Sequence, residues 1–126
     1  MRLLVDSAFV IDYLAGDPGA VDRWATVYDH GDEPLVNEIV VCEVRAGLRP
    51  SDLPAFQTFL EPVEFIQPGP EQAMAAGQWR AEAHTIGRRL SLADALIAAA
   101  AEFGDAAVLT RNVRDFAMTP VRVETY

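Results

Sequence analysis

Hydrophobic residues along this chain follow two rhythms, short unbroken runs and longer stretches at helical spacing, and the two alternate. The run Leu3-Leu4-Val5 stops at Asp6 and predicts a buried strand over Arg2 to Val5. From Ala8 to Leu14 the apolar positions recur as on a helix, with Asp6 or Ser7 as its cap. Gly16-Asp17-Pro18-Gly19 breaks the chain, and a second helix is expected from about Ala20 to Asp29, with Val21, Trp24, Ala25 and Tyr28 on one face. After the turn His30 to Pro34, Leu35-Val36 predicts a brief second strand. Asn37 then opens a helix reaching Leu48. Within it Glu43 lies three and four residues after Val40 and Ile39, which places this acid on the apolar face.

Arg49-Pro50-Ser51-Asp52 ends that helix, and another is expected over Leu53 to Leu60, carrying Phe56 and Phe59. Val63 to Ile66 predicts a third strand. The alanine-rich segment from Glu71 to about Arg88 predicts a helix anchored by Trp79 and Ile86. Residues 91 to 116 predict a capped helix, a short buried strand and a polar turn, and Pro120 to Glu124 predicts a last strand. No repeat, linker or low-complexity segment interrupts the pattern, so one domain is expected over residues 1 to 126. Short strands alternating with helices predict an α/β class fold, with helices packed on a central, mostly parallel sheet.

Composition narrows the chemistry. All ten basic residues are arginine, and nineteen acids bring the formal net charge to −9. Without lysine there is no phosphate loop ending in Gly-Lys-Ser/Thr and no Schiff-base nucleophile. A charge this negative also disfavours broad, charge-driven nucleic-acid binding, so any such work is expected to be local. Cys42 is the only cysteine, which excludes an internal disulfide and a cysteine-based zinc site. No apolar run approaches the roughly 20 residues that span a bilayer, and the early acid at Asp6 is unlike a secretory signal. A cytoplasmic protein without membrane contact is the expectation.

The acids then become informative. Asp6 directly follows a predicted strand, where open α/β sheets gather ligands, although capping the next helix accounts for it equally. Asp94 stands three residues after Ser91, at capping-box spacing, and the helix dipole favours an acid there by about 0.3–1 kcal/mol. Asp115 has the same ambiguity after Asn112. Glu43, on an apolar face, calls for a partner such as arginine. Taken together, three acids fall at one end of the sheet and the fourth is expected to be half-buried. Clustered carboxylates raise one another's pKa until a cation arrives, and an all-oxygen set suits Mg²⁺ or Mn²⁺.

Four segments carry a family likeness: Leu4-Val5-Asp6-Ser7-Ala8 with Ile11-Asp12; Glu43-Val44-Arg45-Ala46-Gly47-Leu48; Asp94-Ala95-Leu96-Ile97-Ala98-Ala99; and Leu109-Thr110-Arg111-Asn112-Val113-Arg114-Asp115-Phe116. In this order and spacing the chain resembles the PIN-domain family, and within it the VapC-type toxin ribonucleases of bacterial toxin–antitoxin pairs. The resemblance implies a three-layer α/β/α fold and a divalent metal held by Asp6 and Asp94, with Glu43 and Asp115 ligating directly or through water. In the family the last motif presents its acid at either of two positions; one is Asn112 here, which leaves Asp115. Thr110, Asn112 and Ser7 would orient water or an acid by hydrogen bonds.

The implied activity is Mg²⁺-dependent endoribonuclease cleavage that stops growth until an antitoxin binds. Arg111, Arg114, Arg88 and Arg89 are the cations placed in sequence to meet RNA phosphates, with solvated surface or carboxylate pairing as the alternative. Asp12 is expected to pair with a neighbour, and His30 and His84 have no motif around them. The implied partners are a VapB-like, DNA-binding antitoxin and a second copy of the chain. Two other classes compete. A PIN-like binding module without nuclease activity would keep the fold and lose the chemistry, whereas a receiver-like Mg²⁺ domain would need the lysine this chain lacks.

Overall fold

Leu3, Leu4 and Val5 are wholly shielded from solvent, which a strand achieves only when other elements cover both of its faces. They form β1 (Arg2–Val5), the centre of the sheet. In the computed structural model, which describes residues 1–126, the chain continues through α1 (Ser7–Leu14), α2 (Pro18–Val27), β2 (Glu33–Val36) and α3 (Glu38–Gly47). It goes on through α4 (Leu53–Leu60), β3 (Glu64–Phe65), α5 (Pro70–Thr85), α6 (Leu92–Phe103), β4 (Ala107–Leu109) and β5 (Val123–Glu124). The five strands lie in the order β3-β2-β1-β4-β5, and every pairing is parallel.

Parallel strands need crossovers, and here helices supply them on both faces of the sheet. The order reverses between β1 and β4: the chain runs outward from β1 through β2 to β3, then returns to place β4 on the other side of β1. That reversal leaves a crevice beyond the carboxyl ends of β1 and β4. The main core is formed by the three strands β1, β2 and β4 against Phe9, Val10, Val40, Val44, Phe56, Phe59 and the inward face of α6. A smaller apolar cluster, Ala76, Ala83, Leu90, Ala95 and Ala99, joins α5 to α6. Small residues there let the two helix backbones approach closely.

Three departures from the sequence pattern have physical causes. β2 begins at Glu33, two residues before the run Leu35-Val36, and includes Pro34. β3 pairs only with Leu35 and Val36, so the missing N–H of Pro34 leaves no ladder bond unmade. Ile86, expected to anchor α5, lies beyond the helix end and is 62 % exposed, while Trp79 does pack against the core. Asp12 is buried and pairs far along the chain instead of with a neighbour. Its carboxylate accepts a 2.6 Å hydrogen bond from the Tyr126 hydroxyl and lies 3.0 Å from the Arg111 guanidinium. No helix is long and apolar enough to cross a membrane.

Candidate metal centre

The site starts from strand ends. Asp6 is the first residue after β1, and its backbone N–H donates to the Leu109 carbonyl of β4 at 3.0 Å, so the parallel pairing itself fixes its Cα. Asp6 is 4 % exposed, and its carboxylate is bonded at both oxygens. Oδ1 accepts from the Ser7 backbone N–H at 2.8 Å, and Oδ2 accepts from the Thr110 hydroxyl at 2.7 Å. Thr110 follows β4 and is fully buried, so this bond spans the crevice where the strand order reverses. The same Thr110 oxygen accepts the Asn112 backbone N–H at 3.0 Å, and the hydroxyl thereby aims its only proton at Asp6.

Asp94 arrives by another route. Ser91 caps α6 by accepting the Asp94 backbone N–H at 3.0 Å, which places the acid in the first turn of that helix. The reciprocal half of a capping box, a bond from the Ser91 N–H to the Asp94 carboxylate, is not made. The carboxylate is half-buried. α6 precedes β4 and runs back along the sheet, so its start stands at the same edge as Asp6.

Burial is the main cause that raises the pKa of Asp6, resisted by the Thr110 and Ser7 hydrogen bonds and reinforced by the charges of Glu43 and Asp115. Burial likewise raises Asp94, opposed by Ser91 and reinforced by Asp115 and Asp6. Asp6 therefore lies close enough to feel the charges of Glu43 and Asp115, and Asp94 those of Asp115 and Asp6. Glu43, however, is exposed, contrary to the semi-buried place expected for it. α3 buries Val40 and Val44, four apart, and Glu43 sits at the border of that stripe, where it accepts the Ser7 hydroxyl at 3.0 Å. Its partner is a serine, not an arginine. Asp115 is exposed on a 3-10 turn over Val113–Phe116, and the Asn112 side chain makes no cap there.

Among the cations, Arg111 is held by Asp12, while Arg114, Arg88 and Arg89 are exposed and form no ion pair. Sequence reasoning passed over Asn37, which is buried directly after β2. Its Oδ1 caps α3 through the Val40 N–H at 3.1 Å, and its Nδ2 donates to the Leu96 carbonyl at 3.4 Å, tying the helix of Glu43 to that of Asp94. The available signal was the same as for Asp6: a polar residue immediately after a strand.

The PIN domain family model matches residues 3–120. This chain belongs to the PIN-domain family. Among its relatives, ribonuclease VapC19 of Mycobacterium tuberculosis is 34 % identical over 117 residues, covering 93 % of this chain and 94 % of the relative. The fold is also that of solved toxin–antitoxin structures. Against VapBC2 of Rickettsia felis bound to promoter DNA, the TM-score is 0.86 at 19 % identity, covering 100 % of this chain and 99 % of that one. A toxin–antitoxin complex from Klebsiella pneumoniae gives 0.78 at 25 % identity, covering 98 % and 96 %. The parallel five-stranded sheet with helices on both faces is the PIN-like three-layer fold.

PIN-domain ribonucleases generally depend on a divalent metal, so the donor set can be tested against one. Every candidate ligand atom is a carboxylate oxygen, as hard cations prefer. None of the four acids has a basic partner, although Asp12, Asp32, Asp52 and Glu33 each have one. No three of them close on a common point. The chemistry fits.

Proposed function

We propose that this protein is a metal-dependent endoribonuclease of the VapC kind, the toxin of a toxin–antitoxin pair that blocks growth by cutting RNA until its antitoxin binds. The observation that carries the reading is the doubly hydrogen-bonded, buried Asp6 at the switch of strand order, with Asp94, Glu43 and Asp115 around it and no arginine neutralising any of them.

Asp6 and Asp94 would hold Mg²⁺, or Mn²⁺, with Glu43 and Asp115 completing the set directly or through water. The cation, when bound, supplies activation of the attacking water and stabilisation of charge on the phosphodiester. The chain's own residues do the rest. Thr110 holds Asp6 in one rotamer, and the Ser7 hydroxyl, 3.0 Å from Glu43 Oε1, ties that exposed acid to the Asp6 turn. Hydrolysis by an activated water needs no covalent nucleophile, and the Ser7 and Thr110 hydroxyls serve here as hydrogen-bond donors to the acids. Arg114 on the turn bearing Asp115 is free to meet a phosphate, and Arg88 and Arg89 lie on the approach. Arg111 is assigned instead to a structural pair with Asp12. The partners in this reading are an RNA substrate, a VapB-like DNA-binding antitoxin and a second copy of the chain, in the cytoplasm.

The test is cleavage of structured RNAs by antitoxin-free protein with Mg²⁺ or Mn²⁺, beside the variants Asp6→Asn and Asp94→Asn. Metal-dependent cutting that both substitutions abolish is the expected result. Cutting that survives both substitutions would overturn the site, and no cutting by the wild type would favour a binding module.

A further inference from the structure

The largest cleft in the molecule is not at the acids. It is an open groove of about 740 Å³ along the last turns of α5 and the loop into α6, and Arg80, His84, Arg88 and Arg89 line it with Gly87 and Leu90. In a chain of net charge −9 this is a local concentration of positive charge. None of the three arginines forms an ion pair, whereas Arg2, Arg23, Arg49, Arg111 and Arg122 each do. Their donors are committed only lightly: Arg80 Nε donates to the Leu90 carbonyl at 3.1 Å, and Arg88 Nη1 reaches the Met118 sulfur at 3.5 Å. All three arginines are exposed.

Both of those contacts lead to the candidate centre. Leu90 precedes Ser91, the cap that places Asp94, and Met118 follows the turn that carries Asp115. The short α5–α6 connection folds the end of α5 back beside the start of α6, so the groove opens at the same edge of the sheet as the acids. Gly87 has φ +71° with no atom near its missing Cβ, so the rim at this point is low and open.

We propose that this groove binds the phosphate backbone of the RNA beyond the scissile bond, with Arg88 and Arg89 contacting phosphates and Arg80 and His84 forming its floor. The assignment rests on the nuclease reading and sharpens it by placing the flanking strand. Planar guanidinium forks suit phosphate oxygens, and unpaired cations beside an acidic centre hold a polyanion that the acids alone would repel. An acidic protein segment is the competing occupant. The groove offers it little apolar surface, since alanine, glycine and Leu90 are all that lie between the cations.

The experiment measures binding of a single-stranded RNA to the full chain in EDTA, so that no cleavage intervenes, as a function of salt. The double variant Arg88→Gln/Arg89→Gln is expected to bind more weakly and to flatten the slope of log K against log salt by about 0.7 for each phosphate that is no longer neutralised. Arg88→Lys/Arg89→Lys should recover part of the loss, and Arg122→Gln, on another face, should leave the slope unchanged. Unaltered melting temperatures would show that folding is intact. A slope unchanged in the double variant overturns the proposal, as does an equal drop in Arg122→Gln. Unchanged RNA affinity with weakened binding of an acidic antitoxin peptide assigns the groove to protein and overturns it as well. A wild type that binds RNA through these arginines yet cuts none with metal present fails the nuclease reading alone.

Discussion

Asp32 precedes β2 and Asp6 follows β1, so these two buried carboxylates stand at opposite ends of one parallel sheet. Asp32 is surrounded by cations: the amino group of Met1 lies 3.0 Å from Oδ1 and the Arg23 guanidinium 2.9 Å from Oδ2. Burial alone would raise its pKa, but those two partners outweigh it and the result is a lowered value. Asp6 is bonded equally well, yet only by a hydroxyl and a backbone N–H, and its nearest charges are other acids. Burial wins there, and the pKa rises. A hydrogen bond satisfies the oxygens of a carboxylate; only a cation offsets its charge. Asp32 at the amino end of the sheet is held by two cations, and Asp6 at the carboxyl end is left with negative charge available to a ligand.

The widest test of this contrast is to neutralise each acid. Asp6→Asn and Asp94→Asn are expected to lower metal-dependent RNA cleavage by at least ~10²-fold, the scale of removing one preorganised charge-stabilising group. Asp94→Asn should also melt at higher temperature than the wild type in EDTA, whereas Asp6→Asn loses in addition one of the two hydrogen bonds its carboxylate accepts. A folded carboxyl with a raised pKa costs stability above that pKa, and the amide removes the cost. A lower melting temperature for Asp94→Asn would break the comparison at its base. Asp32→Ala should behave oppositely, losing about 1.5–3 kcal/mol because Arg23 is left buried without its acceptor, with no cleavage defect at temperatures where the variant is folded. Denaturant unfolding measures it.

The pH dependence follows with its own sign. A lowered folded pKa means that the Asp32 contribution is complete above the ordinary carboxylate value and is lost as pH falls through the lowered one. Melting temperature followed from neutral to about pH 3 should therefore fall less steeply in Asp32→Asn than in the wild type. Parallel curves would remove Asp32 from acid stability. Next in size, Thr110→Val deletes the bond to Asp6 Oδ2 without changing shape and is expected to cost about 10–100-fold in metal affinity or activity, with Thr110→Ser restoring most of it. Arg111→Gln should have the smallest effect, about 0–1 kcal/mol of stability, because its pair with Asp12 is largely exposed on the arginine side. A large loss of RNA binding in that variant would return Arg111 to the substrate.

Much of this was legible in the chain. β1 and α4 fall where the pattern of apolar positions places them, since an uninterrupted buried run and an aromatic pair at helical spacing leave few alternatives. Asp6 and Asp94 stood out because each adjoins an element boundary, and boundaries have local signals. Glu43 was misplaced because counting back to Ile39 and Val40 identifies neighbours on a helix without saying which stripe is buried; the packing of Val40 and Val44 decides that. The pairing of Asp12 with Tyr126 spans 114 residues and has no local trace at all.

The sequence by itself determined the alternation of elements, the all-oxygen donor set and the absence of lysine and paired cysteine, because these are properties of residue type and spacing. Only the tertiary structure decided which acids keep a cation and which do not. That choice depends on where β1, β2 and β4 align, on which arginines the loops bring within reach, and on how much water each carboxylate retains. The same side chain is a structural ion pair at one end of the sheet and a candidate ligand at the other.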